Sequence, residues 1–250
     1  MIKIDRLSFA YNKNDLVLKN INFDILDGKC VVLLGPNGVG KSTLINCLLG
    51  DNKIKEGDIL FDGRSIKELS NKDKSKFISY VPQLIDGNDL SVRETIVLGR
   101  LPFFYISPSK EDYAKVDDII DRFSLTYIKD KSTNEISGGE RQKVAIARAF
   151  VQEAKVVVFD EPTSNLDIKS QLDIISLIKE HNKIANNSSL ISMHDINQAL
   201  RVGDVFVFLK DNQIYKICSK EEITEELLKN VYGVDAKIIN ENKEVFVIYE

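Results

Sequence analysis

One glycine-rich segment carries the clearest chemical pattern in the sequence. Residues 35–42 read GPNGVGKS, which fits the spacing G-x-x-x-x-G-K-S of a phosphate-binding loop, here called the P-loop. Its glycines allow a tight turn that directs successive backbone N–H groups toward one point, and a following helix adds its positive N-terminal end. Lys41 can reach the β- and γ-phosphates, and the Ser42 hydroxyl can hold Mg²⁺. The pattern therefore predicts a nucleoside triphosphate site.

A second pattern places two carboxylates at the end of an apolar run. Residues 156–161 read VVVFDE, which is the Walker B pattern and is typical of a buried strand that ends in Asp160 and Glu161. Ligands bind at such strand ends in open α/β sheets. We expect Asp160 to hold the Mg²⁺ shell and Glu161 to position and polarise the attacking water. An acidic surface turn is the alternative, and the nearby P-loop disfavours it.

Residues 136–142 read ISGGERQ and resemble the signature motif of ABC ATPases, whose usual core is LSGGQ. Ile136 replaces the usual leucine, and Glu140 stands where glutamine is common. Ser137 and the two glycines after it precede a helix, so their hydroxyl and N–H groups predict an anion site, with Ser137 also capping the helix. The resemblance implies that this site binds the γ-phosphate of ATP held by a partner. A second copy of the chain would complete both sites of a two-fold dimer.

The resemblance extends to four further elements. Tyr11 falls at the position of an aromatic that stacks on adenine, with a sheet-edge tyrosine as the alternative. Gln83 matches the Q-loop, which contacts Mg²⁺ or the attacking water, and residues 164–167 match the D-loop. His194 matches the switch histidine that hydrogen-bonds the γ-phosphate, whereas His181 lies on a predicted helix and is expected to be structural or solvated.

Taken together, the motifs and the resemblance imply ATP and Mg²⁺ as cofactors and three sets of residues. The expected catalytic residues are Lys41, Gln83, Glu161 and His194. The expected metal-binding residues are Ser42, Gln83 and Asp160. The nucleotide is expected to contact Tyr11, Gly35, Pro36, Asn37, Gly38, Val39, Gly40, Lys41, Ser42, Thr43, Ser137, Gly138, Gly139 and Glu140.

The elements that position these residues can be read from hydrophobic periodicity. Residues 2–9 and 18–25 alternate, as half-buried antiparallel strands do, and strands alternating with helices elsewhere argue for a parallel α/β sheet. Helical spacing dominates from about residue 91 to 151. We predict an α/β fold with a P-loop NTPase (RecA-like) core, an N-terminal antiparallel β subdomain and an inserted α-helical subdomain. The whole chain would be one ABC ATPase domain, with residues 1–85 and 152–250 as the core and 86–151 as the helical signature lobe.

Composition limits the class of function. The 250 residues carry a formal net charge of −4 without a basic tail or stripe, which argues against nucleic-acid binding. No apolar run approaches the roughly 20 residues of a membrane-spanning helix, and no signal peptide is expected, so another chain would have to cross any membrane. Three scattered cysteines fit a reducing compartment.

Three stretches, residues 91–102, 194–199 and 231–236, resemble importers of iron-siderophores, haem and cobalamin. Asn212 and Cys218 depart from this pattern, because glycine is usual at both positions, and a changed turn is expected there. This likeness implies two integral membrane permeases as partners, indirectly a substrate-binding lipoprotein, and a peripheral location on the cytoplasmic face of the cell membrane. A soluble ABC ATPase without a transport role, such as one for iron–sulfur cluster assembly, remains the alternative. DNA-repair ABC ATPases contain long coiled coils, and ABC translation factors carry two ATPase domains in one chain. Both classes fit less well, since the sequence shows neither sustained heptads nor a second ATPase domain.

An aromatic cluster follows the Q-loop match. Residues 103–106 read FFYI and lie between two prolines. They are expected either to form a docking groove for a cytoplasmic helix of a permease or to fill the core of the helical lobe.

Overall fold

A computed structural model of the protein describes residues 1–12, 15–185, 187–241 and 244–250. Within these ranges the strands are β1 (Ile2–Asn12), β2 (Asp15–Ile25), β3 (Cys30–Leu34), β4 (Glu56–Phe61), β5 (Arg64–Ser65), β6 (Ile78–Val81), β7 (Val156–Asp160), β8 (Ser188–Ser192), β9 (Val205–Lys210), β10 (Gln213–Cys218), β11 (Ala236–Glu241) and β12 (Glu244–Tyr249). The α-helices are α1 (Lys41–Leu49), α2 (Asn71–Phe77), α3 (Val92–Val97), α4 (Lys110–Arg122), α5 (Gly138–Val151), α6 (Ile168–Ala185), α7 (Ile196–Val202) and α8 (Glu225–Tyr232). Short 3₁₀ helices join them at Ile66–Glu68, Leu98–Phe103, Thr126–Ile128, Thr133–Glu135 and Lys220–Glu222.

The described chain separates into two compact units. Unit 1 consists of Met1–Leu69 and Ser188–Glu250, and unit 2 consists of Ser70–Asn187. The predicted helical lobe, residues 86–151, lies inside unit 2, which extends beyond it on both sides.

Unit 1 contains an antiparallel sheet in the order β2-β1-β4-β5. In β1 the side chains of Ile2 and Ile4 are buried and that of Lys3 is exposed, as the alternation in the sequence predicts. The register shifts between Ile4 and Leu7, where Arg6 has a φ of 48°. This bulge ends the simple alternation, so Leu7 also reaches the core.

The second sheet region of unit 1 has the strand order β10-β9-β3-β8, with β9, β3 and β8 parallel. All five residues of β3 are buried, which explains its unbroken apolar run. The turn from β9 to β10 puts Asp211 and Asn212 at φ values of 48° and 66°. Asn212 tolerates this conformation better than most residues, and its amide nitrogen donates to the carbonyl oxygen of Leu16 at 2.9 Å. Asparagine thus replaces the expected glycine while adding a bond to β2.

Unit 2 joins the parallel pair β6 and β7 to helices α2–α6. Its core contains the rings of Phe123, Phe150 and Phe159, which meet edge to face with centroids 5.6 and 6.2 Å apart. The ring of His181 on α6 stacks on that of Phe150 with the two centroids 3.6 Å apart, and His181 is 6% exposed. His181 is therefore a core residue, in line with its expected structural role.

Helices α3, α4 and α5 all begin in the same way. Ser91, Ser109 and Ser137 are their N-caps, and each is followed three residues later by a carboxylate that bonds back to the cap. These capping boxes satisfy N–H groups that have no intrahelical partner, and they mark where each helix starts.

None of the helices described is both long enough and apolar enough to span a bilayer.

The burial of His181 predicts a specific dependence of stability on pH. Burial, and secondarily the charge of Arg122, lowers the pKa of His181 from 6.5 to about 4. Below pH 6.5 the imidazole of His181 is protonated in the unfolded chain, whereas in the folded chain it stays neutral down to about pH 4. The free energy of unfolding therefore falls as the pH drops from 6.5 to about 4. The loss attributable to His181 should approach about 3 kcal/mol.

Urea denaturation of the wild type and of His181→Gln between pH 8 and pH 4 measures this effect. The variant should lose less free energy of unfolding than the wild type below pH 6.5, and the two curves should run parallel above pH 7. Parallel curves over the whole range would contradict the assignment.

Candidate active site

The P-loop connects β3 to α1 in unit 1. Gly35, Gly38 and Gly40 have φ values of 145°, 79° and 107°, all in the region that favours glycine. A Cβ atom on Gly35 would lie 2.4 Å from the carbonyl oxygen of Leu209, whereas one on Gly38 would have no neighbour within 4 Å. Gly35 is thus required by close packing, and Gly38 borders open space on the loop.

Lys41 begins α1 and turns back over the loop. Its ammonium donates to the carbonyl oxygens of Gly35 at 2.7 Å and Pro36 at 3.1 Å, and the side chain is 6% exposed. These contacts hold a positive charge against the loop, where a phosphate would need it. Ser42 is exposed in the first helical turn.

The remaining loop residues shape this site through the backbone. Pro36 accepts a hydrogen bond from the N–H of Val39 at 3.4 Å, which closes the tip of the loop around Asn37. Val39 itself is buried, whereas Asn37 is exposed.

Two more predicted residues of unit 1 lie near these elements. Tyr11 is 63% exposed, and its hydroxyl lies 3.4 Å from that of Thr43 on α1, so the ring stands beside the helix that follows the P-loop. His194 follows β8, whose end lies next to the end of β3, because the N–H of Met193 donates to the carbonyl of Leu33 at 3.1 Å. His194 is exposed at the same strand edge from which the P-loop departs.

In unit 2 the carboxylates follow β7 as predicted. Asp160 is 6% exposed, and Glu161 is half-buried with a φ of 46°, an uncommon conformation for a residue with a side chain. The amide nitrogen of Gln83 donates to a carboxylate oxygen of Glu161 at 2.8 Å. Since β6 and β7 are parallel neighbours, their carboxyl ends bring these two side chains together across 78 residues of sequence.

The signature segment, defined here as Ser137–Glu140, forms the start of α5. The Ser137 N–H and hydroxyl both donate to one carboxylate oxygen of Glu140, at 2.8 and 2.6 Å. The N–H of Glu140 donates in return to the Ser137 hydroxyl oxygen at 3.3 Å. The expected cap is confirmed, but the Ser137 donors face Glu140. The N–H groups of Gly138 and Gly139 are those of the first turn, where a helix offers no backbone partner.

A cleft of about 450 Å³ separates the signature segment from residues 164–167, the D-loop match. Asn165 there has a φ of 59°, and Asp167 accepts the N–H and hydroxyl of Ser170 at 3.0 and 2.7 Å. The carboxylate thus fixes the start of α6 beside the cleft.

Among the residues of this cleft that the sequence did not indicate, Tyr127 contacts the signature segment directly. The hydroxyl of Tyr127 donates to the second carboxylate oxygen of Glu140. Nothing local marks Tyr127, because the contact joins a 3₁₀ turn to a helix 13 residues away. The predicted residues therefore fall into two groups: the P-loop, Tyr11 and His194 in unit 1, and Gln83, Asp160, Glu161 and the signature segment in unit 2.

Comparison with known proteins agrees with these motifs. The family model described as ABC transporter matches residues 18–164. The chain belongs to this family. It is 43% identical over 240 residues to an uncharacterized ABC transporter ATP-binding protein of Methanocaldococcus jannaschii, covering 96% of this chain and 94% of that protein. It is 33% identical over 250 residues to a petrobactin import ATP-binding protein of Bacillus anthracis, covering 98% of this chain and 92% of that one.

Solved ABC structures share the fold. An inward-facing transporter assigned to the metal-chelate type superposes with a TM-score of 0.85 at 26% identity, covering 100% of this chain and 96% of its own. A dimeric bacterial ABC transporter cassette superposes with a TM-score of 0.79 at 28% identity, covering 89% of this chain and 100% of its own. The predicted fold class, an α/β P-loop ATPase with an antiparallel β subdomain and a helical insertion, is confirmed, and the chain is an ABC ATPase.

The P-loop glycines offer a matched test of the nucleotide site. Gly38→Ala and Gly63→Ala both add a Cβ at a positive φ, 79° and 82°, with nothing within 4 Å. Each should cost about 1 kcal/mol of stability through backbone strain. Only Gly38→Ala should also lower ATP affinity, by at least about tenfold, because Gly38 belongs to the loop whose backbone N–H groups are expected to hold the phosphates.

Calorimetric titration with ATP and thermal melting of both variants make the comparison. Equal ATP affinities in the two variants would contradict the placement of phosphates at Gly38.

Proposed function

We propose that this chain is the ATP-hydrolysing subunit of an importer and that two copies enclose two ATP molecules. The observation that carries the proposal is that one chain has two candidate anion sites of different kinds, the P-loop before α1 and the glycine N–H groups at the start of α5. A single nucleotide bound to one copy would leave the other kind of site for the partner's phosphate. The dimeric cassette among the structural neighbours supports such pairing.

The proposed chemistry assigns one task to each side chain. Lys41 neutralises charge on the β- and γ-phosphates, and His194 hydrogen-bonds the γ-phosphate. Glu161 accepts a hydrogen bond from the attacking water and draws its proton, while Gln83 orients that carboxylate and the water. Tyr11 stacks on the adenine. The 2.8 Å contact between Gln83 and Glu161 supports the pairing of their roles.

The donor set fits Mg²⁺. The Ser42 hydroxyl, the Asp160 carboxylate and the Gln83 amide oxygen are hard oxygen ligands of the kind that Mg²⁺ prefers. The Gln83 amide nitrogen is bonded to Glu161, which leaves its oxygen as the metal-binding atom. When bound, Mg²⁺ supplies positive charge that offsets the charge of the phosphates.

We further propose that the chain is one ATPase domain in which residues 86–151 form a helical lobe inserted into a core of residues 1–85 and 152–250. Its place would be the cytoplasmic face of the cell membrane, attached to two permease subunits that receive cargo from a substrate-binding lipoprotein. The names of the petrobactin import relative and of the metal-chelate transporter support an iron-chelate cargo.

The permease dock is assigned to the exposed segment Phe103–Ile106. Tyr105 is 90% and Ile106 97% exposed, so these two side chains do not fill a core. The segment is anchored by Arg100, whose buried guanidinium donates to Asp112 at 2.9 Å and to the carbonyl of Val151 at 2.8 Å. Exposed apolar side chains on an anchored segment are suited to bind an apolar helix of a membrane subunit.

Glu161→Gln tests the proposed catalysis and the dimer together. The variant keeps ATP affinity because the shape of the side chain is preserved, and it should lower turnover by at least about 100-fold because the amide cannot take a proton. Gel filtration with ATP should then show a dimer that is absent without ATP. Wild-type turnover in the variant would refute the assignment of Glu161.

A double substitution, Tyr105→Ser with Ile106→Ser, tests the dock. The melting temperature should stay within about 2 °C of the wild type, since both side chains are exposed. Co-purification of a multi-span membrane protein, identified by mass spectrometry, should fall at least about tenfold. Ile248→Ser, at a site 52% exposed in unit 1, is the matched control and should retain the membrane protein. Recovery of a soluble cluster-assembly scaffold, with no membrane protein, would favour the non-transport alternative.

A further inference from the structure

The Glu140 carboxylate is held by three donors. One oxygen accepts the N–H and hydroxyl of Ser137, and the other accepts the hydroxyl of Tyr127. The hydrogen bond from the Ser137 hydroxyl, followed by that from Tyr127, lowers the pKa of Glu140, so this side chain is ionised at neutral pH. The signature segment therefore carries a fixed negative charge within its first helical turn.

This charge poses a problem for the proposed function. A γ-phosphate from a second copy would approach the N–H groups of Gly138 and Gly139, which are neighbours of Glu140 in the same turn. Two like charges at such a distance repel each other, and more strongly where water is excluded. In addition, the Ser137 hydroxyl can donate only one hydrogen bond, and it donates that bond to the Glu140 carboxylate.

Tyr127 helps to fix the orientation of the Glu140 carboxylate. Its ring is 69% exposed and lies in the turn Thr126–Ile128, outside the apolar core. Its hydroxyl reaches the carboxylate oxygen that Ser137 does not use. Tyr127, Ser137 and Glu140 line the same cleft as Asn165 and Asp167. With both oxygens engaged, the carboxylate is kept folded back on the cap instead of extending into the cleft.

We propose that Tyr127 is a positioning residue of the signature segment: its hydroxyl holds the Glu140 carboxylate back on the helix cap, so that the phosphate of a nucleotide bound by a second copy meets the glycine N–H groups instead of a mobile negative charge. This inference rests on the proposed ATP-enclosing dimer. Tyr127 acts through Glu140 and does not contact the nucleotide itself.

The experiment compares Tyr127→Phe with the unsubstituted tyrosine, both in the Glu161→Gln background with saturating ATP. Sedimentation equilibrium should show a dimer dissociation constant about tenfold higher with Tyr127→Phe, because the released Glu140 carboxylate would repel the phosphate held by the second copy. The ATP affinity of the monomer should be unchanged, because Tyr127 does not belong to the P-loop, which is expected to bind the nucleotide. Tyr215→Phe, a tyrosine 46% exposed on β10, is the matched control and should leave dimerisation unaltered.

A second pair of variants separates positioning from packing. In the Glu140→Gln background the charge is gone, so Tyr127→Phe should change the dimer dissociation constant by less than about twofold. An equal loss in both backgrounds would mean that Tyr127 contributes by packing and would overturn the inference. So would a normal dimer in Tyr127→Phe, and in that case the proposed function would stand. If Glu161→Gln with an intact Tyr127 formed no ATP-dependent dimer, the proposed function would fail, and the inference with it.

Discussion

The site depends on how the first N–H groups of each helix are satisfied. A helix leaves these groups without a backbone partner, and a capping side chain normally takes one of them. Ser70, Ser91, Ser109, Asp195 and Thr224 do so for α2, α3, α4, α7 and α8. Helix α1 is different: its N-cap is Gly40, which makes no side-chain hydrogen bond. The start of α1 therefore lacks the side-chain cap that these five helices have, because Gly40 has no side chain to provide one.

Helix α5 is an intermediate case. Ser137 caps it, but the residues at its first two positions are glycines, so the backbone is open to an approaching anion while the helix is still fixed in place. A Cβ on Gly138 would meet nothing within 4 Å, whereas one on Gly139 would lie 3.0 Å from the Ser170 hydroxyl. Gly138 thus supplies access and Gly139 permits close packing against α6. The capping box predicted from the sequence is confirmed, and the anion site on the same turn stays a prediction.

Much of this was predictable because the decisive features are local. The P-loop, the carboxylates after β7 and the cap of α5 follow from residues adjacent in the chain. Short strands β4, β5 and β10 were not predicted, because their apolar residues are few and their pairing partners lie elsewhere in the sequence. The turn at Asn212 illustrates the limit: the departure from glycine was visible, but the bond to Leu16 that accompanies it was not.

Contacts between distant side chains could not be predicted at all. The Gln83–Glu161 and Tyr127–Glu140 bonds depend on rotamers and on strand or helix placement, neither of which leaves a pattern in the sequence. The conformation of Glu161 is a further example. A φ of 46° costs of the order of 1–3 kcal/mol for such a residue and persists only where the surroundings impose it. The buried β7 strand and the hydrogen bond from Gln83 are two such constraints, so the backbone strain falls at the residue to which we assign catalysis.

Helix α5 also joins the two surfaces that the proposed function requires in unit 2. The signature segment forms its N-terminal end, and the carbonyl of Val151 at its other end accepts the bond from Arg100 that anchors the exposed aromatic segment. Gly99 lies so close to this helix that a Cβ would stand 2.2 Å from the carbonyl oxygen of Arg148. The 14 residues of α5 extend about 21 Å, so one helix connects Ser137 to the base of the exposed aromatic segment. In the proposed function, Arg100 would therefore connect the dock of a membrane partner to the phosphate site of the signature segment through a single helix.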